Sequence, residues 1–120
     1  CLRNAKAVAE YAMSLGSQIS VIPAGEKWED GSLRVALEDC IGAGAIISHL
    51  EGTLSPESQS ALAVFKAFDT QLPQALKECN SGKELIERGF EQDVSLAADL
   101  NVSTNVPVLK DRSYKGYPIN

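Results

Sequence analysis

Only two short segments of this 120-residue chain have the composition of β-strands, and a long stretch of helical pattern separates them. The first, residues 18–24, is a β-branched run that ends at Pro23, and the second, residues 106–109, surrounds Pro107 with Val and Leu. Two short strands do not form a stable sheet by themselves. We therefore expect an α/β fold with an incomplete sheet, whose N-terminal strands are missing from this chain and precede Cys1.

The rest of the chain is predicted to be largely helical. Apolar residues recur every three or four positions over residues 4–15, and Gly16 supplies a stop. Ser55 and Pro56 form a strong helix start for a helix that runs to Phe68. A helix from Leu33 through Ile41, capped by Ser32, and a short helix ending near Cys79 are also predicted. A further helix runs from Ser81 to Gly89, with Ser81 and Glu84 at capping-box spacing. A helical segment over residues 93–100 and a turn-rich tail over residues 111–120 complete the prediction.

The Gly42-Ala43-Gly44-Ala45 run lies inside one of these helical patterns, where each Gly costs roughly 1 kcal/mol relative to Ala. Close packing of another backbone would explain glycine there. We therefore expect a tight contact on this part of the helix.

Composition argues against several classes of partner. The chain has 16 acidic and 11 basic residues and no basic stripe, so we expect neither nucleic acid nor an anionic membrane as a partner. No apolar run approaches the roughly 20 residues that span a bilayer. Cys1, Cys40 and Cys79 have neither disulfide-framework nor zinc-site spacing, which favours a reducing, cytoplasmic location. The N-terminus lacks both a start methionine and a signal-peptide pattern, so we expect the chain to be part of a longer protein.

The residues that follow the first predicted strand are the most informative for chemistry. In open parallel sheets ligands bind beyond the carboxyl ends of the strands, where Glu26, Asp30 and Arg34 would lie. Carboxylates there could hold magnesium, and Arg34 could grip a phosphate or sulfonate. Glu38 and Asp39 stand among apolar residues, so at least one should be partly buried and paired. The alternative interpretation is a solvated loop followed by an ordinary amphipathic helix.

A second candidate anion site is a predicted helix start. Ser81 offers a hydroxyl, Gly82 permits close approach, and the first N–H groups of a helix attract anions. The alternative is a simple helix cap. Asn4, at another helix start, would face the same sheet edge if a strand precedes it. His49 is isolated and is interpreted as a surface or packing residue.

Several segments, in this order, resemble the 2-phosphosulfolactate phosphatase family. They include Val21-Ile22-Pro23-Ala24-Gly25-Glu26, Glu38-Asp39 with Gly42-Ala43-Gly44-Ala45, and Ser81-Gly82 with Glu84-Leu85. The resemblance implies a three-layer α/β/α fold in which residues 1–120 are the C-terminal portion of a single phosphatase domain. It also implies a Mg²⁺-dependent hydrolase of coenzyme M biosynthesis that removes phosphate from 2-phospho-3-sulfolactate to give sulfolactate.

The resemblance also selects site residues. The expected catalytic residues are Glu26, Asp30, Glu38 and Asp39, and the expected substrate-binding residues are Asn4, Arg34, Ser81 and Gly82. The metal ligands stay open. The expected partners are a small anionic phosphate ester and either a second copy of the chain or the family's N-terminal half, which carries an Asp-containing segment.

Two alternatives to an enzyme remain, and one residue pair departs from the family pattern. The chain would be either a non-catalytic α/β fragment that binds an anion or an interaction module with a large exposed apolar face. Asp111-Arg112 stands where the family pattern has Asp followed by Gly.

Overall fold

The computed structural model describes residues 1–118 and contains both helices and strands. A short 3₁₀ turn over Leu2–Asn4 leads into the first helix. The elements that follow within the described residues are α1 (Ala5–Leu15), β1 (Glu26–Lys27), β2 (Leu33–Arg34), α2 (Leu37–Ile47), α3 (Pro56–Phe68), α4 (Leu72–Glu78), α5 (Asn80–Glu87), α6 (Glu91–Ala97), β3 (Asn105–Lys110) and β4 (Ser113–Pro118). This mixture is consistent with the predicted α/β class.

The strands form two separate antiparallel hairpins in this part of the chain. In the first, β1 pairs with β2 and Glu26 lies opposite Arg34. In the second, β3 pairs with β4 over six residue pairs, from Asn105 opposite Pro118 to Lys110 opposite Ser113. These strands alone do not make the three-layer arrangement, which stays a prediction together with the missing N-terminal strands.

The contact of α2 with α3 forms one part of the core. Gly44 of α2 lies against the α3 backbone, and a Cβ at this position would overlap the carbonyl oxygen of Ala61 and press on Phe65. This confirms the predicted tight contact at Gly44, whereas a Cβ at Gly42 would meet open space. The buried core cluster consists of Leu2, Ala5, Ile41, Ala45, Phe65, Leu72, Leu76, Val94 and Ala98.

Several helices begin and end as the sequence predicts. α1 ends at Leu15, before Gly16, and α3 runs to Phe68 with the Ser55 hydroxyl accepting a 3.2 Å hydrogen bond from the Ser58 N–H. α4 ends at Glu78, next to Cys79. α6 is displaced from the predicted residues 93–100: it begins two residues earlier, at Glu91, and ends three residues earlier, at Ala97.

The cap of α5 differs from the prediction. The predicted capping box placed Ser81 at the N-cap, but the N-cap is Cys79, whose Sγ accepts a 3.4 Å hydrogen bond from the Gly82 N–H. Ser81 therefore lies inside the first turn. Gly89, with φ +88°, follows the helix as predicted.

The predicted strand over residues 18–24 is wrong for this structure, because the segment pairs with no strand in the described part of the chain. A β-branched run becomes a strand only where another backbone accepts its hydrogen bonds. Ile22 consequently has 84% of its surface exposed.

The predicted helix from Leu33 through Ile41 is wrong in its first half. Gly25 and Gly31, with φ +66° and +84°, allow the chain to turn back on itself, and the Trp28 N–H donates a 2.9 Å hydrogen bond to the Ser32 carbonyl. Leu33 and Arg34 become a strand of this hairpin. The helix begins only at Leu37, and its N-cap is Ala36 instead of Ser32.

The tail also differs from the prediction of turns alone. Asp111 and Arg112, with φ +52° and +62°, form a tight turn that lets residues 113–118 return along β3 as a strand. The turn prediction for Ile119 and Asn120 lies outside the described residues.

Large apolar side chains are exposed along residues 15–35, including Leu15, Ile22, Leu33 and Val35. An interaction module is expected to have such a surface.

None of the helices in residues 1–118 combines the length and apolar character needed to cross a bilayer.

Candidate active site

The carboxylate residues at the start of α2 line a cavity of about 330 Å³. Glu38 and Asp39 stand in the first turn of that helix, where the positive end of the helix dipole favours acidic side chains. The remaining walls are largely apolar and are formed by Cys1, Leu2, Val21, Ile22, Pro23, Ala24, Gly42, Ala43, Ile46, Leu76 and Ala97. Two acidic side chains thus share a partly enclosed space.

Asp39 is tied to the loop that precedes β1. Its Oδ2 accepts a 2.8 Å hydrogen bond from the backbone N–H of Gly25. Gly25 adopts φ +66°, and a Cβ there would lie 3.0 Å from the Leu33 side chain and 3.3 Å from the Arg34 carbonyl oxygen. The Pro-Ala-Gly-Glu and Glu-Asp segments, separate in the sequence, therefore meet at this hydrogen bond.

Glu38 also borders a second cavity, of about 280 Å³, between α2 and the α4–α6 helices. Ser81, Gly82 and Asp93 line this space as well. The Cys79 Sγ lies 3.8 Å from the Glu38 Oε2, within hydrogen-bonding distance for a thiol donor. The structure thus brings the two predicted candidate regions together around Glu38.

Burial raises the pKa of the Cys79 thiol above its ordinary value. The hydrogen bond from the Gly82 N–H opposes this shift, while the nearby negative charge of Glu38 adds to it. Cys79 is therefore a protonated, weakly reactive thiol near neutral pH. The same Sγ lies 3.2 Å from the Leu76 carbonyl oxygen, which is the shorter of its two acceptor contacts.

Gly82 is required by packing. A Cβ at Gly82 would overlap the Leu76 carbonyl oxygen and approach the Cys79 Sγ to 3.4 Å. Its N–H is already directed at Cys79. Of the predicted pair, Ser81 is the residue whose side chain is half-buried beside the cavity.

Arg34 is held on the hairpin with only 11% of its side chain exposed. Its Nη1 lies 2.9 Å from the Glu84 Oε1, and its guanidinium carbon lies 5.0 Å from the centroid of the Trp28 ring. The buried Nη2 has no hydrogen-bond partner among residues 1–118. An open cavity of about 590 Å³ adjoins it, lined by Lys27, Trp28, Glu29, Asp30, Arg34 and Glu84.

The other predicted site residues lie in two different settings. Glu26 is exposed opposite Arg34 in the hairpin, and Asp30 is exposed at its tip. Hydrogen bonds from the hydroxyl and backbone N–H of Ser32 lower the pKa of Asp30. Asn4 is buried, and its Nδ2 donates a 2.9 Å hydrogen bond to the Asn105 carbonyl. Asn4 therefore joins the start of α1 to β3 and lies outside the set of residues lining these cavities.

Sequence reasoning missed Glu84 and Cys79 as neighbours of the site. Its spacing from Ser81 predicts Glu84 to be a capping-box residue, and Cys79 is predicted only as the end of a short helix. Their roles depend on long-range contacts with Arg34 and Glu38, which no local spacing reveals.

The acidic side chains at these cavities can be compared with what a bound Mg²⁺ requires. No three His, Cys, Asp or Glu side chains converge into a metal-binding group in the part of the chain that the structure describes. Mg²⁺ usually keeps several waters and uses only one or two protein carboxylates together with substrate phosphate. Glu38 and Asp39, which border one cavity, fit that modest requirement.

The family model for 2-phosphosulpholactate phosphatase matches residues 1–112, nearly the whole chain. The chain belongs to this family. A 2-phosphosulfolactate phosphatase from Methanothermobacter thermautotrophicus is 33% identical over 92% of the chain and 46% of its own length. A probable 2-phosphosulfolactate phosphatase from Carboxydothermus hydrogenoformans is 36% identical over 87% of the chain and 42% of its own length.

A third member of the 2-phosphosulfolactate phosphatase family, a probable enzyme from Thermus thermophilus, is 33% identical over 92% of the chain and 46% of its own length. The chain thus spans a little under half the length of these three relatives.

Proposed function

We propose that the complete protein containing this chain hydrolyses a small phosphate monoester that bears further anionic groups, with 2-phospho-3-sulfolactate as the substrate and sulfolactate and phosphate as products. The observation that carries this proposal is the shared cavity of Glu38 and Asp39, held together by the Asp39 to Gly25 hydrogen bond. Family membership supports the reaction class. A place in coenzyme M biosynthesis and a cytoplasmic location belong to the same proposal.

Glu38 and Asp39 are the residues that would hold Mg²⁺. Held there, the ion would neutralise charge on the phosphate and would make a water molecule easier to deprotonate. The two carboxylates bring negative charge to the cavity, and the Gly25 N–H fixes the orientation of Asp39. The Gly25 N–H uses one acceptor site of Oδ2, so Asp39 keeps further acceptor sites for a ligand.

The other predicted residues take supporting roles in the proposal. Arg34 binds an anionic oxygen of the substrate, and the Ser81 hydroxyl donates a hydrogen bond at the neighbouring cavity. Glu26 and Asp30 orient water at the hairpin. The attacking oxygen comes either from water or from a nucleophile outside this chain, and the bond from phosphorus to the substrate's C2 oxygen breaks as the new P–O bond forms.

Residues outside this chain complete the site in this proposal. The described chain covers less than half of its relatives, and exposed apolar residues such as Ile22 and Val35 offer a surface for the rest of the protein. The same surface supports the second candidate, a half-domain that serves only for interaction. The two differ in whether neutralising Asp39 affects turnover.

The test is phosphate release from 2-phospho-3-sulfolactate by the complete protein. Chelation should abolish release and Mg²⁺ should restore it. Asp39→Asn should lower kcat/KM by roughly 10²- to 10³-fold. Asp69→Asn, which removes the same charge from an exposed position at the end of α3, is the matched control and should leave kcat/KM unchanged. Equal activity of the two variants would rule out the proposed role of the α2 carboxylates.

A further inference from the structure

The ion pair between Arg34 and Glu84 is asymmetric. The Arg34 side chain is 11% exposed, whereas the Glu84 side chain is 56% exposed on the surface of α5. The Trp28 ring, 5.0 Å from the guanidinium carbon, covers the arginine and leaves the glutamate uncovered. Glu84 can therefore rotate into water with little loss of packing, while Arg34 cannot.

The hydrogen-bonding groups of Arg34 are also incompletely satisfied. Both Glu84 oxygens face Nη1, at 2.9 and 3.2 Å, and the buried Nη2 has no partner among the described residues. A buried guanidinium nitrogen without a hydrogen bond is costly, and a guanidinium usually binds an oxyanion through two nitrogens at once. An oxyanion with two oxygens directed at Nη1 and Nη2 would satisfy the group better than Glu84 does.

The charges around the neighbouring cavity point the same way. Glu29, Asp30 and Glu84 oppose Lys27 and Arg34, so the lining carries one more negative than positive side chain. An anion would be repelled while Glu84 occupies the arginine. If Glu84 turns away, the remaining charges balance and Arg34 is the most buried of them.

We propose that Glu84 is an internal placeholder for a ligand. Its carboxylate pairs with Arg34 until a phosphate or sulfonate group of the ligand displaces it and binds Nη1 and Nη2 together. Trp28 holds the guanidinium in place during the exchange. This rests on the proposed function in one respect, that Arg34 belongs to the ligand site. Glu84 then sets the specificity of the site, because only an anion that binds Arg34 better than a tethered carboxylate is admitted.

Calorimetric titration of the complete protein with inorganic phosphate, and separately with methanesulfonate, tests the proposal. Glu84→Gln should bind the preferred anion roughly two- to fivefold more tightly than the unmodified protein, because a competing ion pair of modest strength is removed. Arg34→Lys should weaken binding by roughly tenfold or more. The two titrants distinguish a phosphate site from a sulfonate site.

Glu87→Gln is the matched control, since it removes the same charge from an exposed position of the same helix without touching Arg34. It should leave both anion affinities unchanged. Trp28 fluorescence, taken as the difference between the protein and its Trp28→Phe variant, should change on titration and should not change in Arg34→Lys.

Two results would overturn the inference, and a comparison with turnover separates it from the proposed function. Glu84→Gln with a lowered Tm and unchanged anion affinity would make the pair purely structural. Equal anion binding by Arg34→Lys and the unmodified protein would mean that Nη2 is satisfied by another part of the complete protein. If the complete protein turns over 2-phospho-3-sulfolactate but Glu84→Gln does not change anion affinity, the proposed function stands and the placeholder does not. If Glu84→Gln tightens anion binding but the complete protein shows no turnover, the placeholder stands and the proposed function does not.

Discussion

Asp39 accepts a 2.8 Å hydrogen bond from the backbone N–H of Gly25, fourteen residues earlier in the chain, and so fixes the loop before β1 to the start of α2. The same carboxylate lines the cavity proposed to bind substrate. The proposal therefore gives Asp39 a chemical role beside its structural one, and two substitutions can separate the two roles.

Asp39→Asn keeps an oxygen that can accept the Gly25 N–H and should leave the free energy of unfolding nearly unchanged. Asp39→Ala leaves that partly buried N–H without a partner and should lower the free energy of unfolding by about 1–3 kcal/mol. Urea denaturation of the complete protein measures the difference. Equal stability of the two variants would mean that the hydrogen bond does not hold the loop.

The two glycines of α2 should respond in opposite ways to alanine. Gly44→Ala drives a Cβ into the Ala61 carbonyl of α3 and should destabilise the protein by about 1–3 kcal/mol. Gly42→Ala meets open space in the same helix and should stabilise it by up to about 1 kcal/mol. Thermal unfolding of both variants checks the pair, and a stable Gly44→Ala protein would contradict the close α2–α3 contact.

The turn between β3 and β4 contains a residue poorly suited to its backbone. Arg112 has φ +62°, a conformation that costs a non-glycine residue roughly 1 kcal/mol. Arg112→Gly should therefore raise the free energy of unfolding by about that amount and increase Tm. Arg112→Ala removes the same charge but keeps the unfavourable φ, so it should give no such gain.

Cys79 should react slowly with alkylating reagents because burial raises its pKa. Glu38→Gln removes one cause of that rise and should increase the rate of iodoacetamide modification at pH 8, measured by peptide mass spectrometry. Glu51→Gln, an exposed residue without contact to Cys79, is the control. A rate unaffected by Glu38→Gln would contradict their electrostatic contact.

The raised pKa of Cys79 also makes the stability of the protein depend on pH. The folded-state pKa lies above the ordinary value of 9.0, so the unfolded thiol loses its proton first as pH rises. The contribution of Cys79 to stability is complete below pH 9.0 and is lost as pH rises through the folded-state pKa. Comparing the protein with Cys79→Ala between neutral and strongly alkaline pH measures this term.

Local signals predicted most of the helices and one strand: the predicted strand over residues 106–109 lies within β3 (Asn105–Lys110). α3 begins and ends where Ser55, Pro56 and Phe68 predict, because a hydroxyl cap and a proline act within one turn of the chain. Residues 18–24 have strand composition but lack a neighbouring backbone in the described chain. A strand depends on its partner, which a single segment does not encode.

The residues of the candidate site also differ in how far the sequence alone predicts them. Residue type and position select Glu38, Asp39 and Arg34 as candidates; these residues line cavities, and their roles stay a prediction. Only Leu33 and Arg34 of the hairpin are predicted as helix, from the apolar spacing that follows them, and positive φ at Gly25 and Gly31 turns the chain into a hairpin there instead. The Glu84 contact with Arg34, 50 residues away in sequence, had no local signal.

A double-mutant cycle in phosphate release tests most directly whether Arg34 and Glu38 act on one substrate. The kcat/KM for 2-phospho-3-sulfolactate would be measured for the complete protein, Arg34→Lys, Glu38→Gln and the combination. Both single variants should lose activity, and the double variant should lose clearly less than the product of the two losses. Full activity in either single variant, or losses that simply multiply, would contradict a common site.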